Sequence, residues 1–326
     1  MAVVDRGVRE RLEWARRRVE SRPLGADVPH ERLGRYRSYG ELLDAWAALA
    51  DAGARLDCLG ESAGGQPLFA LEVGPADAGR LALVLSGIHA MEWIGVETGM
   101  ALFGRLVAEP PADRRVAYVP VVNPDGYLRA ESDLRARRRR FVRANANGVD
   151  LNRNWPTHWR SVKWEARLLP CLGGPGTAPR SEPEVDAICA KLEAWHRAGV
   201  AVERALSLHS FGRMLLLPYG GRWRRPTRFR EHLDAARAMH ARIGDGRHRI
   251  RQSARWVPGL FAHGMEIDHL LEAFGALSLL VECSSGGLRL HDPTSWWHPW
   301  RWFNPPDPER TVDGLVPALE AFVRGS

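Results

Sequence analysis

Lysine is almost missing from this chain: of 46 basic residues only Lys163 and Lys191 are lysines, so the formal charge of +7 is carried by arginine. Such a balance reads either as a nucleic-acid footprint or as a coding bias toward arginine. The second reading is preferred, and nucleic acid is not expected as a partner. The one dense patch, RARRRRFVR at 135–143, either faces an acidic substrate or is a solvated loop. Long apolar runs are missing too. None approaches the roughly 18 residues of a membrane-spanning helix, so no membrane span is expected; the longest, such as 276–281, suit buried strands. The opening MAVVDRGVRERLEWARRR lacks the apolar centre of a secretory signal. Cys58, Cys171, Cys189 and Cys283 are scattered and form no C-x-x-C pair, which excludes a zinc ribbon and argues against a disulfide framework. Free thiols and a cytoplasmic location are the expectation.

What is present is a globular composition, 45% hydrophobic and 26% charged, in 326 residues, enough for one large α/β domain with its own core. Residues 5–21 and 40–53 carry apolar side chains at helical spacing and read as an N-terminal helical extension, residues 1–55, packed on a domain of residues 56–326. Within that domain the runs 68–73, 81–85, 116–122, 204–208, 214–217 and 276–283 have strand character. Helical patterns fall at 93–107, 182–198, 228–243, 267–274 and 308–323. Strand, loop, helix, strand is the grammar of an α/β fold, here a mostly buried mixed sheet with helices on both faces.

Chemistry gathers where these strands end. SGIHAMEWIGVE begins as the 81–85 strand stops, and its His89 and Glu92, three apart, can converge on one metal ion. Alone, H-x-x-E is as readily a surface pair. A catalytic zinc takes about three protein ligands and keeps one position open. The candidate third ligand is His209 in ALSLHSFG, again directly after a strand. In RANANGVDLNRNWP, Asn152 and Arg153 stand side by side. Arginine's planar fork matches a carboxylate, and asparagine donates a further hydrogen bond, so the pair suits a substrate's free carboxylate. Glu282 closes the apolar strand LSLLVE. A carboxylate there needs a partner or a task. It is either an ion pair to one of the many arginines or, beside a metal, a base that takes a proton from water and passes it to a leaving amine.

With these five elements in order (H-x-x-E at 89–92, NPDGY at 123–127, GVDLNRN at 148–154, HSF at 209–211 and the strand-terminal Glu282), residues 60–290 resemble the zinc carboxypeptidases, the carboxypeptidase A-like metallopeptidases. The resemblance implies a three-layer α/β/α sandwich around a mixed sheet of about eight strands. It implies one Zn2+ per chain on His89, Glu92 and His209, with Asn152 and Arg153 on the terminal carboxylate. Glu282 would be general base and acid, and Arg143, with Arg139 and Arg140 competing, would stabilise the oxyanion. Two departures stand out. HSF at 209–211 replaces the family's more usual H-S-Y, and Leu260 falls where relatives carry a mobile tyrosine. By the same alignment Ile267 floors the side-chain pocket, or Glu266 or Asp268 if the register slips, which would favour a basic residue. The expected activity is hydrolysis of a peptide or amide bond next to a free C-terminal carboxylate. An amidase or deacylase acting on a murein peptide or N-acyl amino acid is the alternative, and a catalytically inactive binding module a third reading. The tryptophan-dense TSWWHPWRWFNPP at 294–306 reads as packing or as a cover for the substrate.

Overall fold

Alternation decides the core strands. In β3 (Arg80–Ser86) Leu81, Leu83 and Leu85 point to one face of the sheet while Ala82 and Val84 point to the other, and all are buried. The computed structural model describes residues 5–21, 33–161, 173–244, 246–256, 259, 261–287 and 296–326. Its eight strands form one sheet in the order β1-β2-β4-β3-β5-β8-β6-β7, with β1 Arg55–Glu61, β2 Pro67–Val73, β4 Arg115–Val119, β5 Ala201–His209, β6 Met214–Leu217, β7 Arg249–Gln252 and β8 Leu277–Glu282. The centre, β4-β3-β5-β8, is parallel; β2 and β6 join it antiparallel.

Helices cover both faces. One face carries α1 (Arg6–Glu20), α2 (Tyr39–Asp51), α3 (Trp93–Ala108), α4 (Pro124–Arg135), α6 (Phe229–Arg242) and α8 (Pro308–Arg324) around the larger core. The other carries α5 (Pro183–Arg197) and α7 (Glu266–Phe274). This is the expected three-layer architecture, with eight strands. Among the described residues no helix is long and apolar enough to cross a membrane.

Two strands that alternation does not announce lie at the sheet's edges. β1 (RLDCLGE) carries charges and a register break between Cys58 and Gly60, and β7 (RIRQ) exposes Arg249 and Arg251. Charged, bulged edges blunt further strand pairing. The expected 116–122 strand stops at Val119 because Pro120 has no N–H for the ladder. NPDGY opens α4: Asn123 Oδ1 accepts from the Gly126 amide and Pro124 takes the first helical position.

α3 lies so close to β5 that a Cβ on Gly95 would stand 2.7 Å from the Leu208 carbonyl oxygen. Only glycine permits that approach, and it brings the start of α3 against the end of β5.

Candidate active site

The C-terminal ends of the parallel strands β3, β5 and β8 lie side by side, the place where α/β sheets bind ligands. β3 delivers His89 and Glu92: the chain turns on the Glu92 amide bonding the His89 carbonyl at 3.2 Å, and Glu92 is the residue on which α3 begins. β5 ends in His209 and β8 in Glu282, and the two are register partners.

The three candidate ligands converge. His89 Nδ1 lies 2.7 Å from Glu92 Oε1, His209 Nδ1 2.8 Å from Glu92 Oε2, and the two Nδ1 atoms are 3.1 Å apart. Two nitrogens on one tetrahedral zinc, each at about 2 Å, stand about 3.3 Å from one another. The imidazoles therefore already face a common point with the matching nitrogens. All three residues are buried.

Electrostatics separates the carboxylates. Burial alone would raise Glu92, but His89 and His209 outweigh it and hold that carboxyl well below its usual range. Burial lowers His209, yet Glu92 and Glu266 together carry it up to about 10. Glu282 is pushed up to about 8 by burial, with the charge of Glu92 adding to it, and its buried Oε2 has no hydrogen-bond partner among the described residues. Of the buried carboxylates gathered here, Asp150 and Glu92 face the Arg143 guanidinium and Glu266 faces His209. Two imidazole nitrogens and a carboxylate within reach of one point fit a divalent cation of zinc's kind.

Of the arginines in 135–143, Arg143 reaches the site. Its Nε donates to Asp150 Oδ2 at 3.2 Å and its Nη1 lies 3.6 Å from Glu92 Oε1; burial opposes its charge, but Asp150 and Glu92 keep its pKa raised. Arg139 and Arg140 are exposed, while Arg135 and Arg138 pair locally with Glu131 and Asp133. Asn152 is buried and its Oδ1 accepts from the Glu266 amide at 3.3 Å, which turns Nδ2 into the group left to donate. Arg153 donates Nη1 to the Asn152 carbonyl at 2.6 Å. Its own carbonyl presses on Gly264, where a Cβ would stand 2.4 Å away and φ is +68°.

Ile267 is fully buried with Leu216, Met265 and Leu280. Leu280 shares a sheet face with Glu282 two residues on, and Leu216 is its register partner on β6, so this apolar patch lies next to the carboxylate. Asp268 is spoken for: it accepts from the Gly220 and Gly221 amides and pairs with His158 Nδ1 at 2.9 Å. Leu260 lies outside the described residues.

Two residues that sequence reasoning passes over or misassigns stand at the back of the ligands. Asp150, inside GVDLNRN itself, places Oδ1 3.2 Å from His89 Nε2 while Oδ2 holds Arg143. Glu266, weighed only as a pocket floor, reaches His209 Nε2 at 3.2 Å. The tryptophan-dense segment divides. Trp300 is buried edge-on against Trp93, whereas Trp296 and Trp297 are exposed. The short helical turn Trp300–Phe303 and Asn304 brace the site from behind. The Phe303 carbonyl accepts from Ser210 and Ser284 hydroxyls, and Asn304 bonds the Ile94 amide and the Met91 carbonyl.

Comparison with known proteins places this geometry. The zinc carboxypeptidase family profile matches residues 40–278, a range that contains His89, Glu92, Asp150, Asn152, Arg153 and His209. Mast cell carboxypeptidase A of Mus musculus is 31% identical over 193 residues, 55% of this chain and 45% of that protein. Carboxypeptidase A6 of Homo sapiens is 33% identical over 190 residues, 53% and 41% of the two. The matches thus span less than half of these relatives' length. Among solved structures, carboxypeptidase A from Helicoverpa armigera superposes with a TM-score of 0.74 at 21% identity, over 97% of this chain and 80% of the other. The murein-tripeptide amidase from Escherichia coli O157 does so at 0.50 and 22% identity, over 84% and 95%. At these identities the structural likeness is one of fold.

Proposed function

The chain belongs to the zinc carboxypeptidase family, and from that premise we propose that it is a metallocarboxypeptidase, removing the C-terminal residue of a peptide. The observation that carries the reading is the register pairing of His209 with Glu282, which sets a buried, raised carboxyl beside the ligand cluster. His89 and His209, each through Nδ1, and Glu92 are the residues that would hold one zinc ion, and there it would supply Lewis acidity at the scissile carbonyl.

The chain's own residues do the rest. Glu282 takes the proton of the attacking water at Oε2, which has no partner among the described residues, and returns it to the departing amine. Its burial keeps it basic enough to accept that proton. Arg143, fixed by Asp150, donates to the carbonyl oxygen as negative charge develops there. Asn152 Nδ2 and Arg153 bind the free carboxylate, which sets the cut one residue from the terminus. Leu216, Ile267 and Leu280 surround the terminal side chain, so apolar residues are preferred. Asp268, held by the Gly220 and Gly221 amides, is not free to receive a basic side chain.

A substrate panel tests this: peptides ending in apolar, basic or acidic residues, their C-terminal amides, a murein tripeptide and N-acyl amino acids, each with and without chelator. The expected result is chelator-sensitive, zinc-restored cleavage of peptides with apolar ends. Arg153→Gln should lower kcat/KM about 10- to 100-fold on free acids and leave amides untouched. Amides cut as fast as free acids by the wild type would refute the clamp. Preferential cleavage of the murein tripeptide or acyl amino acids would move the assignment to an amidase or deacylase.

A further inference from the structure

A histidine that ligates a metal through Nδ1 keeps its proton on Nε2, and the partner of that N–H fixes the ring's tautomer and tilt. His89 has such a partner in Asp150 Oδ1, 3.2 Å from Nε2. On the far side of the cluster His209 Nε2 meets two oxygens, Ser207 Oγ at 2.9 Å and Glu266 Oε1 at 3.2 Å. Glu266 comes from α7 on a separate segment, 57 residues along the chain from His209.

Glu266 is fully buried. A buried glutamate is costly without compensation, and its side chain has one hydrogen-bond partner among the described residues: His209, through Oε1, with Oε2 making none. Its place in the first turn of α7 favours a negative charge. The same residue's amide donates to Asn152 Oδ1 at 3.3 Å, so its backbone orients the clamp while its side chain orients the ligand. Its neighbour Ile267 packs instead with Leu216, Met265 and Leu280.

We propose that Glu266 is a positioning residue for the metal, a second carboxylate behind the ligand set that fixes His209 through Nε2 as Asp150 fixes His89. The inference rests on His89, Glu92 and His209 holding zinc. Both imidazoles then stand between a carboxylate and the metal, with Nδ1 turned inward. Ser207 alone would hold the His209 proton with a neutral acceptor. Glu266 makes that hydrogen bond charge-assisted and ties the ring to α7, so that the ligand and the clamp residue Asn152 move as one unit.

The test is zinc affinity, by competition with a chromophoric chelator, together with the visible spectrum of the Co(II)-substituted full chain, in wild type, Glu266→Gln and Glu266→Ala. Glutamine retains the shape and an oxygen for the Nε2 proton but not the charge; alanine removes both. Zinc binding should weaken about tenfold in Glu266→Gln and up to about 100-fold in Glu266→Ala, with the Co(II) bands shifted in each. Wild-type affinity and an unchanged Co(II) spectrum in both variants would overturn the proposal. If the alanine variant does not fold, the near-isosteric glutamine variant decides by the same two readouts. A wild-type chain that binds no zinc would instead overturn the ligand assignment, and that measurement precedes the comparison of variants.

Discussion

Replacing Glu184 by Gln should flatten part of the stability–pH curve. Glu184 sits in the first turn of α5, fully buried, accepting from the Ala63 amide at 3.2 Å and from Asn145 Nδ2. Burial pushes its carboxyl from an ordinary 4.5 to about 7, against the pull of its own and the Ala63 amide and of Asn145. The folded chain therefore holds this proton to higher pH than the unfolded chain does. The stabilisation is complete below 4.5 and is lost as pH rises through 7. Every tenfold change in proton affinity is worth about 1.4 kcal/mol, so the loss totals about 3 kcal/mol once both states have ionised. Glutamine has no such proton. Urea unfolding of wild type and Glu184→Gln at pH 5 and pH 8, at equal zinc, should show the wild type losing about 2 kcal/mol more than the variant between the two. Because Asn145 Oδ1 also accepts from the Val149 amide, just before Asp150, the same transition bears on the segment behind His89. Parallel stability curves for the two proteins would refute the reasoning, since a group with no raised folded-state pKa leaves no difference in slope.

Other expectations are more direct. Glu282→Gln should retain zinc, measured by elemental analysis, while kcat falls about 100- to 10,000-fold; unchanged turnover would remove Glu282 from proton transfer. Gly95→Ala places a Cβ 2.7 Å from the Leu208 carbonyl oxygen, so α3 must retreat from β5. A destabilisation of about 1–3 kcal/mol is expected, read as a lowered Tm, with weakened zinc binding because His209 follows Leu208 directly. Wild-type Tm and affinity in that variant would show that the close approach is not needed.

Much of this site is legible along the chain because ligands and strand ends coincide. His89, His209 and Glu282 each terminate or follow an apolar run that could only be a buried strand, and three such runs are neighbours in the sheet. The edges are less legible, since β1 and β7 owe their place to backbone pairing and carry charges that mask alternation. Least legible are partners that meet only in space. Asp150 could be noticed beside Asn152, but nothing near it in sequence points to His89 Nε2, 61 residues away. Glu266 looks like a pocket residue by its neighbours Ile267 and Asp268; a helix turns the three side chains in different directions, and the one facing His209 depends on how α7 lies against β5.

The brace formed by Phe303 and Asn304 has a consequence in time rather than in space. It bonds Ser210 and Ser284, which follow His209 and Glu282 by one and two residues, and the Ile94 amide and Met91 carbonyl on either side of Glu92. During synthesis all of those segments emerge before residues 303–304 do. A partly made chain can therefore own every ligand and the base, yet still lack the clasp that sets them at their working distances. Assembly of the centre waits until residues 303–304 have been made, well after the last ligand and the base.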